Sequence, residues 1–213
     1  MGCLVTRIRL LAVALGVVMG VMTAGCRASQ PAATASRPSL ENEIAAEMAR
    51  VSAVPWSASR PLAWSDFKGA APDSGSEGAL TVYSLFHGMR CTGDTFNFQV
   101  TAGFLPIRSW VKATVVNDQN LANQTLAHEQ THFDLSEVHA RRMRKYFAEL
   151  YDPCGRTEAA LEAGADGFIR GEAAAQARYD QETAHGRRGD VQRTWGERVR
   201  DDLASLVRYR RDD

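Results

Sequence analysis

The sequence predicts an α+β domain, a small antiparallel sheet followed by a helical part. Three observations carry this. Runs rich in Thr, Val, Tyr and Phe fall in the first half of the chain, with a turn signal between them. From Gln119 to about Leu150 there is neither Pro nor Gly, and Leu121, Leu126, Leu135, Val138, Met143 and Phe147 recur at roughly helical spacing. Two further helical stretches follow, and no internal repeat interrupts the order. The 213 residues suffice for one domain with a real core.

Residues 1–25 read as an export signal rather than as part of the fold. "MGCLVTRIR" supplies two arginines, and "LLAVALGVVMGVMTA" is too short and too rich in small residues for a comfortable membrane span. Ala24 and Gly25 before Cys26 resemble a bacterial lipobox, whose cysteine is lipidated and becomes the new N-terminus. Thr23 stands where that motif usually has an aliphatic residue. The simpler alternative is cleavage near Ala24 with no lipid. Either way the mature chain is expected outside the cytoplasm, in the cell envelope. Arg27, not Asp, follows Cys26, which favours an outer-membrane lipid anchor.

Residues 26–55 then comprise the lipidated Cys26, a linker and a short helix. Arg27 to Ser39 is a Pro/Ala/Ser tether, and "SLENEIAAEMARV" is helical with a Ser cap. The domain proper spans residues 56–213. The stretch from Pro55 to Ala79 that leads into it is loop-like around the anchors Trp56, Trp64 and Phe67. "ALTVYSLFHGMRC" and "TFNFQVTAGFLP" read as strands about the turn "TGD", and "SWVKATVV" as a third. Asn117 and Asp118 can cap the long helix. "YDPCG" breaks it. A second long helix is expected from Thr157 to about Thr183, and a last one from Val191 to about Tyr209. Trp64, Phe67, Trp110 and Trp195 are expected in the core.

Composition excludes some partners. Apolar residues make up 45% and the formal charges balance at 25 of each sign, so no basic surplus marks a nucleic-acid binder. Cys3 and Cys26 belong to the export segment. That leaves Cys91 and Cys154, which in a secreted domain are expected to form one disulfide.

The stretch "LAHEQTHFDLSEVHARRM" carries the chemistry. On a helix, residues four apart lie on one face, so His128 and His132 project together and can grip one ion. Zinc accepts neutral imidazole nitrogen and leaves a position for water. Glu129, beside the first histidine, is placed to take a proton from that water. A third ligand must come from elsewhere. His139 is eleven residues past His128, about 16 Å of helical rise, and Glu137 has the same problem of reach. Glu137 is expected to pair with Arg141. The metzincin pattern fails as well, with Leu135 at its glycine and Val138 at its third histidine. A helical hairpin would fold "YDQETAHG" back towards the long helix, which makes His185, Glu182 and Asp180 candidates and His87 a weaker one. Tyr179 is a candidate hydrogen-bond donor to an oxyanion, and Asp180 a candidate for orienting a ligand histidine.

"PLAWSDFKG", "LAHEQTHFDLSEVHARR" and "YDQETAHG…QRTWGERV" together resemble the bacterial DUF922 family of predicted secreted zinc-dependent proteases, over about Pro61 to Val199. The resemblance implies a zincin-like fold, with His128 and His132 as zinc ligands and Glu129 as base. It places Tyr179, Asp180, Thr183, His185 and Gly186 on the family's Y-D-x-x-T-x-H-G segment. His185 then becomes the expected third ligand, with Asp180 behind it. The resulting expectation is a membrane-tethered zinc peptidase acting on a peptide or protein substrate, with "TFNFQVTAG" offering a sheet edge to an extended peptide. The alternative is a non-catalytic envelope lipoprotein whose metal is structural.

Overall fold

In the computed structural model, residues 38–211 are described. The expected export signal, residues 1–25, and Cys26 lie outside them. The first helix, α1 (Leu40–Arg50), starts where Ser39 Oγ accepts the Asn42 N–H at 3.2 Å. Its apolar residues Leu40, Ile44 and Met48 recur every four positions, and all three are buried.

The sheet is built around one hairpin. Strands β3 (Tyr83–Thr92) and β4 (Thr95–Phe104) pair antiparallel along their whole length, Tyr83 opposite Phe104 and Thr92 opposite Thr95. The two-residue turn places Gly93 at φ 58°, a conformation glycine adopts without a Cβ clash. A two-residue strand β1 (Val54–Pro55) adds to the far side of β4, giving the order β1-β4-β3. A separate two-stranded pair joins β2 (Ala79–Leu80) to β5 (Trp110–Val111).

Side chains alternate across this sheet as the pleat requires. Phe86 faces α1, where it joins Ile44, Met48, Val82 and Leu105. Tyr83, Leu85, Val100, Ala102 and Phe104 face the other way, onto Phe133, Ala140, Met143 and Phe147 of the long helix α3 (Gln119–Glu149). Asp118 caps α3 by accepting the Asn120 and Leu121 amides at 3.0 and 3.1 Å. Helix α4 (Glu158–Thr183) begins at Thr157, which accepts the Ala160 N–H. It ends at Ala184 in the left-handed region. Helix α5 (Gly189–Ser205) then packs against both, with Trp195 and Val199 beside Leu135, Val138 and Tyr179. Among the described residues no helix is long and apolar enough to cross a membrane.

The α+β reading therefore holds, and three local expectations change. "SWVKATVV" is a strand only at Trp110–Val111. The Lys112 amide donates to Gly78 O, the chain then turns, and Ala113–Val116 form the short helix α2. The β-branched residues there express a preference that the turn overrides. The strand in "TFNFQVTAG" is not a free edge. On its outer side the Trp56 amide donates to Ala102 O and the Arg144 guanidinium to Val100 O. Finally, Phe67 and Trp195 are buried, whereas Trp64 and Trp110 are only half-buried.

Cys91 and Cys154 are bonded, with Cα atoms 5.8 Å apart. The bridge ties the end of β3 to the turn between α3 and α4. It restrains the hairpin in which those two helices lie side by side.

Candidate metal centre

The α3–α4 hairpin assembles the site. His128 and His132 lie one turn apart on α3, both buried, and their Nε2 atoms are 3.1 Å apart. Asp180 enters from the last turn of α4. Its Oδ1 is 3.1 Å from His128 Nε2 and 2.9 Å from His132 Nε2. Two imidazole nitrogens and one carboxylate oxygen thus point at one place.

Their fit to a metal can be tested on protons. Gln176, one turn before Asp180 on α4, donates its Nε2–H to Glu172 Oε1 at 2.8 Å and to His132 O at 2.9 Å. Both partners are oxygens that accept, which fixes the amide orientation. Gln176 Oε1 must therefore accept from His132 Nδ1–H, at 2.6 Å. The remaining His132 nitrogen, Nε2, then presents a lone pair to the Asp180 carboxylate. Lone pairs crowded within about 3 Å need a cation between them. Donors held about 2.0–2.1 Å from a tetrahedral ion sit about 3.3 Å apart, close to the spacing found here. The donor set and its protonation fit a divalent ion.

Without a cation, the same crowding is resolved by a proton. Burial pulls His132 down, but the hydrogen bond and charge of Asp180 outweigh it and raise the ring to about 8. Burial pushes Asp180 up, yet the two imidazoles hold it well below the usual carboxylate range. His128 is lowered, chiefly by burial. One added proton on His132 serves where a metal would otherwise sit.

Each sequence-derived candidate now has a place. Glu129 is buried beside the pair, and its charge acts on His128, His132 and Tyr179. His185 is not in the convergent group. Ala184 and His185 both adopt left-handed backbone, φ 51° and 55°, which carries His185 past the end of α4 to the rim. There its side chain is 52% exposed, with Nδ1 3.7 Å from Asp180 Oδ1. Asp180, still within the regular helix facing α3, occupies the third position instead. Glu182 is engaged elsewhere, accepting from Trp195 Nε1 at 2.8 Å and Arg178 Nε at 2.7 Å. His87 lies 3.8 Å from Glu162, away from the group. His139 is buried two turns further along the same face of α3, against Gly171 of α4 and too far along the helix to join the group.

Tyr179 is corrected in role. It is fully buried, its ring stacked on His128 at 4.7 Å and edge-on to His132 at 4.9 Å, with Trp195 behind it at 5.4 Å. Burial raises its pKa further above the usual phenol range. A hydroxyl sealed in this way cannot meet a substrate oxyanion. The residue is a platform that fixes both imidazole planes.

The residues missed from sequence are Glu172 and Gln176. With Asp180 they recur every four positions along one face of α4, in an otherwise alanine-rich helix. That spacing was the available signal. Glu172 is buried, and burial raises it to about 7 against the hydrogen bonds of Gln176 and Tyr83.

Two buried polar arrangements keep α3 in place around this centre. Glu137 accepts from Arg141 Nε at 2.9 Å and Arg144 Nη1 at 3.1 Å, which pairs it with Arg141 as its spacing implies. Asp134 accepts from Trp56 Nε1 at 2.8 Å and Gln130 Nε2 at 2.7 Å, laying the segment before β2 across the helix.

Residues 87–186 match the model of a family described as "Bacterial protein of unknown function (DUF922)". The match runs from β3 through the turn after α4 and includes His128, Glu129, His132 and Asp180. No curated protein and no solved structure matches the chain.

Proposed function

We propose that this DUF922-matching chain is an exported, membrane-tethered, zinc-dependent peptidase. The observation that carries the reading is the convergence of His128 Nε2, His132 Nε2 and Asp180 Oδ1 within 2.9–3.1 Å of one another, with Glu129 next in sequence to the first of them. Zinc held there by His128, His132 and Asp180 would act as a Lewis acid that makes water acidic enough to lose a proton near neutral pH.

The chain's own residues supply the rest. Glu129 accepts a proton from the attacking water and returns it to the leaving amine. Gln176 holds His132 in the tautomer whose Nε2 is free, and Glu172 holds Gln176. Tyr179 keeps both rings in plane. Asp180 brings one negative charge to the site, and its partial exposure leaves that side open to substrate. The expected export signal and the Cys91–Cys154 disulfide support an oxidising compartment, and the lipobox-like residues before Cys26 support a lipid anchor there.

One observation favours a second reading. His185 Nδ1 stands 3.7 Å from the same Asp180 oxygen, so a small movement of the rim would add a fourth protein ligand. A site closed in that way is structural, and the protein would be a non-catalytic envelope lipoprotein. Replacing Glu129 by Gln separates the two. The peptidase reading expects full zinc content and no cleavage of a casein-like substrate. A wild-type protein that holds zinc but cleaves nothing across a broad peptide library would leave the structural reading standing.

A further inference from the structure

The two imidazoles of the centre are not equally supported. His132 has Gln176 behind it. His128 Nδ1 is buried and, among the described residues, has no hydrogen-bond partner. Such an orphan is unusual in a ligand histidine, whose outer nitrogen normally donates to an oxygen that sets its tautomer.

A second orphan lies close by. Gln192, on the first turn of α5, is buried, and its Oε1 also has no partner. Its amide orientation is fixed in the same way as that of Gln176, because Nε2 donates to the carbonyl of Gln124 at 2.9 Å. The free atom is therefore an acceptor. Gly186 sits between the two orphans at φ 80°. A Cβ there would lie 3.1 Å from His128 Cγ and 3.2 Å from Gln192 Oε1. Gln124 Nε2 donates to Gly186 O at 2.6 Å and holds this turn against α3. An unpaired ring nitrogen, an unpaired amide oxygen and a residue without a side chain thus meet at one turn.

We propose that Gln192 is the positioning residue for His128, its Oε1 accepting the Nδ1–H and so presenting Nε2 to the metal. This rests on the metal-site reading above. Each ligand histidine would then be backed by a buried glutamine, one from α4 and one from α5. The order of the last two helices gains a purpose, since α5 must dock before His128 is fixed. Gly186 is required because any side chain there would enter the gap between ring and amide.

The test uses the full chain and zinc itself, titrated against a competing chelator, for wild type, Gln192→Leu and Gln192→Glu. Leu removes both the acceptor and the donor to Gln124. Glu keeps an acceptor, loses that donor and adds a negative charge. The expected result is a loss of zinc affinity of about 10–100-fold for Gln192→Leu, with Gln192→Glu much closer to wild type. In the zinc-loaded wild type the His128 Nδ1 proton is expected to give a solvent-protected imidazole signal in NMR, present in Gln192→Glu and lost in Gln192→Leu. Unchanged affinity in Gln192→Leu overturns the proposal. So does an equal loss in both variants, which would assign the effect to the Gln124 contact. Should Gln192→Leu not fold, the wild-type signal decides: a freely exchanging His128 Nδ1 proton refutes the role. A wild type that binds no zinc defeats the metal reading itself, and the proposal with it, whereas zinc binding that is indifferent to Gln192 defeats the proposal alone.

Discussion

Removing Asp180 is the most direct test of how the centre is built. Asp180 Oδ1 approaches both Nε2 atoms, at 2.9 and 3.1 Å, while His185 reaches only the carboxylate, at 3.7 Å, from an exposed rim. Structural zinc sites in small domains are worth about 10–16 kcal/mol. Divided among three ligands, each carries on the order of 3–5 kcal/mol, and the anionic one no less than the others. Asp180→Ala is therefore expected to weaken zinc by about a thousandfold. His185→Ala, which removes a side chain outside the convergent group, should change affinity by less than about tenfold. The assay is zinc competition against a chelator of known affinity at pH 7.5, with urea unfolding of the metal-free proteins as the check on folding. An affinity that collapses in His185→Ala and survives in Asp180→Ala would refute the assignment. It would mean that the turn after α4 rearranges to bring the histidine in.

Three other outcomes are expected. Gln176→Leu strips partners from Glu172 and from His132 Nδ1, two buried polar groups, and should destabilise the metal-free protein by about 3 kcal/mol in urea unfolding. Opening the Cys91–Cys154 bridge by Cys→Ser at both positions frees a loop of 63 residues, which should cost about 4 kcal/mol of stability, read as a lowered urea midpoint. His139 is held neutral, chiefly by burial and then by Arg142, with a pKa of about 4. Its folded pKa lies below the unfolded value, so its contribution is complete above about pH 6.5 and is lost as pH falls towards 4. That is about 3 kcal/mol of acid sensitivity. His139→Leu should flatten this part of the stability profile, and an unchanged profile between pH 6.5 and 4 would remove His139 as its source.

Much of the fold follows from local patterns. The uninterrupted helical periodicity after Asp118, the capping oxygens of Ser39, Asp118 and Thr157, and the turn at Gly93 are properties of neighbouring residues, and each element begins or turns where they say. The short helix after Val111 was not legible, because Thr114, Val115 and Val116 favour a strand and only the pairing of Lys112 with Gly78 turns the chain away. The four-residue spacing of His128 and His132 likewise needs nothing beyond a helix to bring two nitrogens to one side.

The third donor was a different kind of question. Asp180, Glu182 and His185 lie within six residues of one another, and their spacing favours none. The choice depends on how α4 is rotated against α3, on Trp195 of α5 taking Glu182, and on two left-handed residues that lift His185 to the rim. The same holds for Gln176 and Gln192, whose meaning comes from atoms on other helices. Sequence alone determined which face of one helix carries the two candidate ligand histidines, since that face is set by a local repeat. Only the packing of three helices decided what completes it, since contacts between distant segments have no periodicity to read.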